Sequence, residues 1–208
     1  MSAKGKALAG IVAVLFIALV VWTVRTIPEA PDRSDPEPST HVMSYEGNTI
    51  SEEKDGRKIW ELTAEHIQMD LDTKNADMTG ITGHFYAEDG RVVDVKASKA
   101  HYDAKTKDVT IEDGLAITTS DGASLKSEQL IWTAASGTLT AKGDAYIAKD
   151  DMQAKGGSIA STNGFREITM EDHVYIVKGD MQAAGDRLES SDNLQKIKLI
   201  GHAHIQKG

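Results

Sequence analysis

Residues 144–179 read DAYIAKDDMQAKGGSIASTNGFREITMEDHVYIVKG, and residues 173–208 read HVYIVKGDMQAAGDRLESSDNLQKIKLIGHAHIQKG. Aligned without gaps at a shift of 29 residues, the two stretches are identical at 14 of 36 positions. Unrelated sequences agree at roughly one position in twenty, so this agreement indicates an internal repeat. A unit of this length cannot bury its apolar face alone, so neighbouring units must stack to complete a core.

Earlier parts of the chain repeat more loosely, at about 30 to 33 residues. The corresponding positions are Ala64, Ile67 and Met69, then Ala97, Ala100 and Tyr102, then Ser127, Leu130 and Trp132. Apolar residues also alternate with polar ones in short runs: Trp60, Leu62 and Ala64; Val93 and Val95; Val109 and Ile111; Ile168 and Met170; Val174 and Ile176; Ile197 and Leu199. Alternation with period two is typical of half-buried antiparallel strands.

Turn pairs separate these runs: Asp55-Gly56, Asp89-Gly90, Asp113-Gly114, Asp121-Gly122 and Asn163-Gly164. No proline occurs after residue 38, so nothing interrupts the predicted strands. The sequence therefore predicts an all-β domain built as an elongated stack of strands. A folded-over antiparallel β-jellyroll and a β-solenoid both fit this pattern, and both have open end strands that another protein can extend.

The N-terminal part has a different organisation. Residues 7–24 form an uncharged, mostly apolar run that follows Lys4 and Lys6. A helix of that length is about 27 Å long, close to the thickness of a bilayer core. A cleaved signal peptide is the alternative, but the nearest small residue, Ala30, lies between Pro28 and Pro31, which suits cleavage poorly. The two lysines favour a cytoplasmic N-terminus.

This reading divides the chain into four parts. Residues 1–6 are a cytoplasmic tail, residues 7–24 a single transmembrane helix, residues 25–40 an acidic, proline-rich linker, and residues 41–208 a periplasmic domain of about five repeats. The net charge of −9 makes nucleic acid an improbable partner, because phosphate backbones repel an acidic domain. The absence of cysteine excludes disulfides, thiol nucleophiles and Cys-ligated metals.

No motif for catalysis or for metal binding emerges. His202 and His204 share one face of a predicted strand, but no second ligand cluster accompanies them, and we expect a structural or surface role. The acidic pairs Asp150-Asp151 and Glu171-Asp172 fall where the repeat predicts turns, which accounts for them without acid–base chemistry.

The repeat unit itself resembles a known family. The sequence GDMQAAG at residues 179–185, its copy DMQAKG at 151–156, and the strand phrases AYI at 145–147 and VYI at 174–176 resemble the OstA-type repeat of the LptC family. LptA and the N-terminal part of LptD share this repeat. The predicted N-terminal anchor favours LptC among the three.

The resemblance implies a function and partners. Members of this family are single-pass inner-membrane components of lipopolysaccharide export. Their jellyroll takes the acyl chains of lipopolysaccharide from an inner-membrane ABC transporter and passes the lipid to an LptA-like bridge protein. The N-terminal helix and N-terminal edge would contact LptF- and LptG-like membrane subunits, and the C-terminal edge the bridge protein. No cofactor and no enzymatic activity are implied, and the chain has no GxxxxGK[ST] nucleotide loop.

Two sets of residues become candidate sites. The lipid-groove candidates are Trp60, Leu62, Ile67, Met69, Tyr102, Leu130, Trp132, Ile147, Ile159, Ile168, Met170 and Ile176. The candidates for the partner-docking edge are Ile197, Leu199, Gly201, Ala203 and Ile205, on one predicted last strand. The residues alone do not separate lipid contact from ordinary core packing. A membrane-tethered scaffold that binds cell-wall polysaccharide, and an enzyme acting on envelope glycans, remain the alternatives.

Overall fold

A computed structural model describes residues 41–162, 166–191 and 196–208. The predicted anchor at 7–24, the linker and the Asn163-Gly164 turn therefore lie outside the described residues. The strands are β1 (Val42–Lys54), β2 (Arg57–Asp70), β3 (Ala76–Tyr86), β4 (Val92–Tyr102), β5 (Val109–Glu112), β6 (Ala116–Thr119), β7 (Ser124–Lys126), β8 (Gln129–Thr133), β9 (Thr138–Lys149), β10 (Met152–Thr162), β11 (Glu167–Lys178), β12 (Met181–Ser191), β13 (Lys196–Ile200) and β14 (His204–Lys207).

The strand order follows the sequence almost without exception. The main path is β1-β2-β3-β4-β5-β8-β9-β10-β11-β12-β13, and β6, β7 and β14 pair beside it. Every pairing among the described strands is antiparallel. The predicted all-β fold is confirmed. The β-solenoid alternative is excluded, because its successive coils would pair in parallel.

The long strands bend near their middle, and this bend divides the sheet into two layers. Between β2 and β3 the ladder runs up to Ala64 opposite Ile81 and resumes at His66 opposite Thr79. The first layer comprises residues 42–46, 66–70, 76–79, 99–102, 109–112, 129–133, 138–142, 158–162, 167–171, 187–191 and 196–200. The second layer comprises residues 48–54, 57–64, 81–86, 92–97, 116–119, 124–126, 144–149, 152–156, 174–178, 181–185 and 204–207. The arrangement is jellyroll-like.

The bends are formed by residues whose backbone adopts the left-handed conformation, with positive φ. Gly80 has a φ of 64°, and a methyl group there would lie 2.6 Å from Cδ of Glu65 on the neighbouring strand. Gly201 has a φ of 70°, and a methyl group there would likewise collide with the side chain of Asp186. Only glycine adopts this conformation freely and leaves room for the carboxylate beside it. The bend thus recurs at intervals set by the repeat.

The structure corrects three expectations drawn from the sequence. Asp113-Gly114 is not a hairpin turn, because β5 and β6 do not pair with each other; it is the bend between the two layers. Glu171-Asp172 likewise lies inside β11 at its bend, where the register shifts, and not between strands. The predicted last strand from 197 to 205 is wrong as one strand, because residues 201–203 separate β13 from β14.

The two layers pack against each other to form one core. The rings of Trp60 and Tyr102 lie 5.9 Å apart between centroids, and those of Phe85 and Trp132 lie 6.1 Å apart. Each pair joins one residue of the first layer to one of the second. The largest side chains that are almost fully buried include Leu62, Ile67, Met78, Ile111, Leu130, Met170 and Leu188.

Candidate functional site

The space between the two layers, which we call the slot, has one closed side and one open side. The bends close it along one side. Opposite them lie the turns that end each layer. Residues 71–75, 103–108 and 134–137 belong to the first layer, and residues 55–56, 87–91, 120–123, 150–151 and 179–180 belong to the second. Entry to the slot from this open side requires passage between two rows of turns.

The structure brings eleven of the twelve predicted groove residues together inside the slot. Nine of the twelve are buried, namely Trp60, Leu62, Ile67, Leu130, Trp132, Ile147, Ile159, Met170 and Ile176. Tyr102 and Ile168 are half-buried and pack against the same core. Met69 is half-buried near the end of β2 and lies outside that core cluster. Period two thus selected the inward face correctly, while contact of these residues with lipid stays a prediction.

A cavity of about 90 Å³ lies in the middle of the slot. Both layers contribute to its walls, among them Ile117, Leu125, Leu130, Leu139, Ala141, Ile147, Ile159 and Ile168. Sequence reasoning missed Ile117, Leu125, Leu139 and Ala141. The first two lie on β6 and β7, which are four and three residues long. Alternation cannot be detected over so few positions, and only the order of the repeats would have pointed to them.

Charged side chains border this cavity. Lys149 Nζ lies 2.5 Å and Arg91 3.9 Å from the Asp121 carboxylate. Burial raises the pKa of Asp121, but hydrogen bonds from Lys149 and Thr119 and the nearby positive charges outweigh this, so its pKa lies below the usual range. Asp121 therefore remains ionised at neutral pH, between the basic side chains of Lys149 and Arg91. The three groups place a compact, mixed-charge rim beside an apolar interior.

A second cavity, of about 470 Å³, lies on the open side near the N-terminal end of the sheet. Ile59 and Glu88 line it from the second layer, and Trp132 and Gly137 line it from the first. Trp132 therefore faces both the core and this outer space. It belongs to a set of four rings, Trp60, Phe85, Tyr102 and Trp132, which we call the aromatic cluster.

The indole nitrogens of this cluster have no acceptor. Trp60 is 0% exposed and Trp132 is 7% exposed. Within the described part of the chain, Nε1 of each is buried without a hydrogen-bond partner. Burial raises the pKa of the neighbouring Tyr102, with a further contribution from Glu52. The cluster therefore combines a large apolar surface with two unsatisfied donors.

The described residues include two ion pairs that cross the open side of the slot, and we call them the ionic bridges. Lys107 Nζ, in a turn of the first layer, lies 2.6 Å from Glu52 Oε1 in the second. Arg166, beside the β10–β11 connection, lies 3.1 Å from Glu88 Oε2 in the β3–β4 turn. Glu88 also pairs with Arg57 at 3.2 Å. These bridges connect the two layers across the open side, in addition to the bends and the core.

The ends of the sheet carry exposed apolar side chains. β1 is the first strand of the order and exposes Val42 and Met43. At the other end, β14 exposes Ile205 and pairs only with β12 among the described strands.

Residues of the predicted docking edge do not form one ladder. Ile197 and Leu199 on β13 are half-buried and pack against the core, while Gly201 and Ala203 lie in the break before β14.

The polar candidates lie in solvated positions. Asp150 and Asp151 form the β9–β10 turn, and Glu171 and Asp172 lie at the bend of β11. His202 Nδ1 lies 2.8 Å from Asp186, and the hydrogen bond to this carboxylate raises the histidine pKa. Across the described ranges, no group of three or more potential metal ligands comes together.

Comparison with known families agrees with the fold and the repeat. Residues 10–206 match the family described as lipopolysaccharide-assembly, LptC-related. The chain belongs to the LptC family. Membership gives it a role in lipopolysaccharide transport, as a membrane-associated component of that system. A search of curated proteins gave no match. Among the described residues, no helix has the length and apolar character needed to cross a bilayer.

Proposed function

We propose that the slot holds the acyl chains of lipopolysaccharide while the lipid passes from an inner-membrane ABC transporter to a periplasmic bridge protein. The observation that carries this proposal is a continuous apolar interior between two layers with one side open between rows of turns. Hydrocarbon chains gain about 0.8 kcal/mol for each CH2 removed from water, so such an interior favours them without any specific polar contact.

The slot must widen to receive a lipid. The central cavity of about 90 Å³ is smaller than the roughly 300–1,000 Å³ of typical ligand pockets. The layers are joined covalently at the bends, so widening occurs by separation at the open side. The ionic bridges Lys107–Glu52 and Arg166–Glu88 span that side and must part when the lipid enters.

Membrane attachment and partners complete the proposal. Residues 7–24 anchor the chain as a single helix with a cytoplasmic N-terminus, and residues 41–208 lie in the periplasm. LptF- and LptG-like subunits of the transporter contact the helix and β1. An LptA-like protein adds a strand at the C-terminal edge. Among the described strands, β1 pairs only with β2 and β14 only with β12, and such end strands support strand addition. Val42, Met43 and Ile205 offer apolar contacts beside them.

Binding to intact and to deacylated lipopolysaccharide separates this function from its main alternative. The full-length protein, in dodecyl maltoside, would be titrated with lipopolysaccharide and with the same material after alkaline removal of its acyl chains. A lipid carrier binds only the acylated form. A scaffold that recognises cell-wall polysaccharide binds glycan regardless of acyl chains, so equal affinity for both forms contradicts the proposal.

A further inference from the structure

Three buried side-chain atoms lack a hydrogen-bond partner among the described residues: Nε1 of Trp60, Nε1 of Trp132 and Oγ of Ser190. Two of the three belong to the aromatic cluster, at one region of the slot. An indole nitrogen is a donor only, so each needs an acceptor. Buried donors in folded proteins are nearly always paired, and an unpaired one indicates a missing partner.

Both tryptophans lie close to the open side of the slot. Trp60 is three residues after the start of β2, which follows the Asp55-Gly56 turn. Trp132 is one residue before the end of β8 and lines the cavity of about 470 Å³ on the open side. The two indoles come from opposite layers. A molecule that enters between the layers at the cavity of about 470 Å³ meets Trp132, and Trp60 lies behind it in the same aromatic cluster.

Neighbouring groups in the described part of the chain do not supply the missing acceptor. The rings nearest the indoles are those of Tyr102 and Phe85. A trapped water would need two to four polar partners of its own. The aromatic side chains around the fully buried Trp60 offer it few, whereas the cavity beside Trp132 is also lined by Asp55 and Glu88. A ligand that is apolar along most of its length and carries oxygens at one point would supply an acceptor to both indoles.

We propose that Trp60 and Trp132 donate hydrogen bonds to the ester or amide carbonyl oxygens of a bound acyl lipid. The hydrocarbon chains then lie deeper in the slot, and the charged head group lies outside the open side. Carbonyl groups mark the junction between chain and head group, which matches the position of the indoles. Tryptophan serves the same purpose at membrane interfaces, where its ring is in apolar surroundings and its N–H is satisfied. This inference rests on the proposed acyl-binding function.

The first test observes the donors directly. The full-length protein with 15N-labelled tryptophan and the Trp22→Phe substitution gives two indole N–H signals, from Trp60 and Trp132. Dodecyl maltoside is a suitable detergent, because its alkyl chain carries no carbonyl. Saturation with lipopolysaccharide should move the proton of both signals downfield, as expected for a new hydrogen bond to a carbonyl. Bound lipopolysaccharide without this shift overturns the inference but not the proposed function, whereas a failure to bind at all removes both.

The second test asks whether the carbonyl is what the indoles recognise. Displacement of labelled lipopolysaccharide is compared for ester-linked and ether-linked phosphatidylglycerol of equal chain length. We expect the ester form to displace about 3- to 10-fold more effectively for each indole engaged. Trp60→Phe and Trp132→Phe should each reduce that ratio, because they remove the donor but keep an aromatic ring.

The ratio also controls for damage to packing. A variant that only loosens the slot weakens both lipids equally and leaves the ratio unchanged. Equal displacement by the two lipids in the unsubstituted protein, or displacement by neither, contradicts the inference. A preserved ester preference in the Trp60→Phe, Trp132→Phe double variant contradicts it as well.

Discussion

Filling the central cavity should separate the stability of the domain from its capacity for lipid. Ala141 is 1% exposed on β9, pairs with Leu130 and Ile159 on the flanking strands, and lines the cavity of about 90 Å³. A site for one water needs roughly 10–15 Å³, so the cavity has room for the three carbon atoms that Ala141→Leu adds. The new side chain occupies space that a hydrocarbon chain would use.

The expected gain in stability follows from the buried carbon. Three methylene equivalents contribute about 2 kcal/mol at ~0.8 kcal/mol each. Fixing the leucine rotamer costs about 0.5–1 kcal/mol. The net effect is about 1–1.5 kcal/mol in the free energy of unfolding, which raises Tm by roughly 2–6 °C for a domain of this size.

The assay pairs thermal unfolding with lipopolysaccharide binding, both on the full-length protein. Ala141→Leu should unfold at a higher temperature and bind lipopolysaccharide at least tenfold more weakly. Ala116→Leu makes the same chemical change at an exposed position of β6 and should alter neither property appreciably. A variant that is more stable and still binds lipid normally would show that the cavity is not part of the lipid path, and the reasoning above would be refuted.

Three further predictions concern the open side, the bend and the C-terminal edge. The double substitution Glu52→Gln, Glu88→Gln removes both ionic bridges. Stopped-flow uptake of labelled lipopolysaccharide should then be faster and depend less on salt concentration. An unchanged uptake rate would mean that the bridges do not limit opening of the slot. The His202–Asp186 pair stabilises the fold below about pH 6.5, and this contribution is lost as the pH rises through the raised pKa of His202. In an NMR titration, Asp186→Asn should return the His202 pKa to about 6.5. A His202 pKa that stays raised in this variant would point to another cause. Leu199→Pro, on β13, should reduce capture of an LptA-like partner. Ala203→Pro lies in the break between β13 and β14 and should leave partner capture and Tm nearly unchanged. Equal capture by both variants would locate docking elsewhere.

Sequence patterns predicted the strands and their inward face because both depend on local alternation. The alternation assigned Trp60, Leu62 and Ala64 to one face, and each of the three side chains is at most 1% exposed. The repeat predicted that neighbouring units stack, and the nearly sequential strand order follows from that. These features need only information within one unit or between adjacent units.

The bends were not predictable in the same way. Asp113-Gly114 bends the chain between layers, while Asp121-Gly122 lies in the hairpin turn between β6 and β7. Both pairs have the same residue types, because a left-handed residue suits a hairpin and a mid-strand bend equally. Only the pairing partners on either side decide which one forms. The unsatisfied indoles were invisible for a related reason, because a missing acceptor is a property of the assembled core.

Photo-crosslinking to lipopolysaccharide tests the central claim, that acyl chains lie between the two layers, most directly. A photoreactive residue would replace Met170 or Ile176, which are 1% and 6% exposed inside the slot, or Glu61 or Lys196 on outward faces. The full-length protein in membranes that contain the proposed ABC transporter would then be irradiated and probed for lipid adducts. We expect adducts at Met170 and Ile176 and none above background at Glu61 and Lys196. Equal labelling of inward and outward positions, or labelling of the outward set alone, would contradict the account.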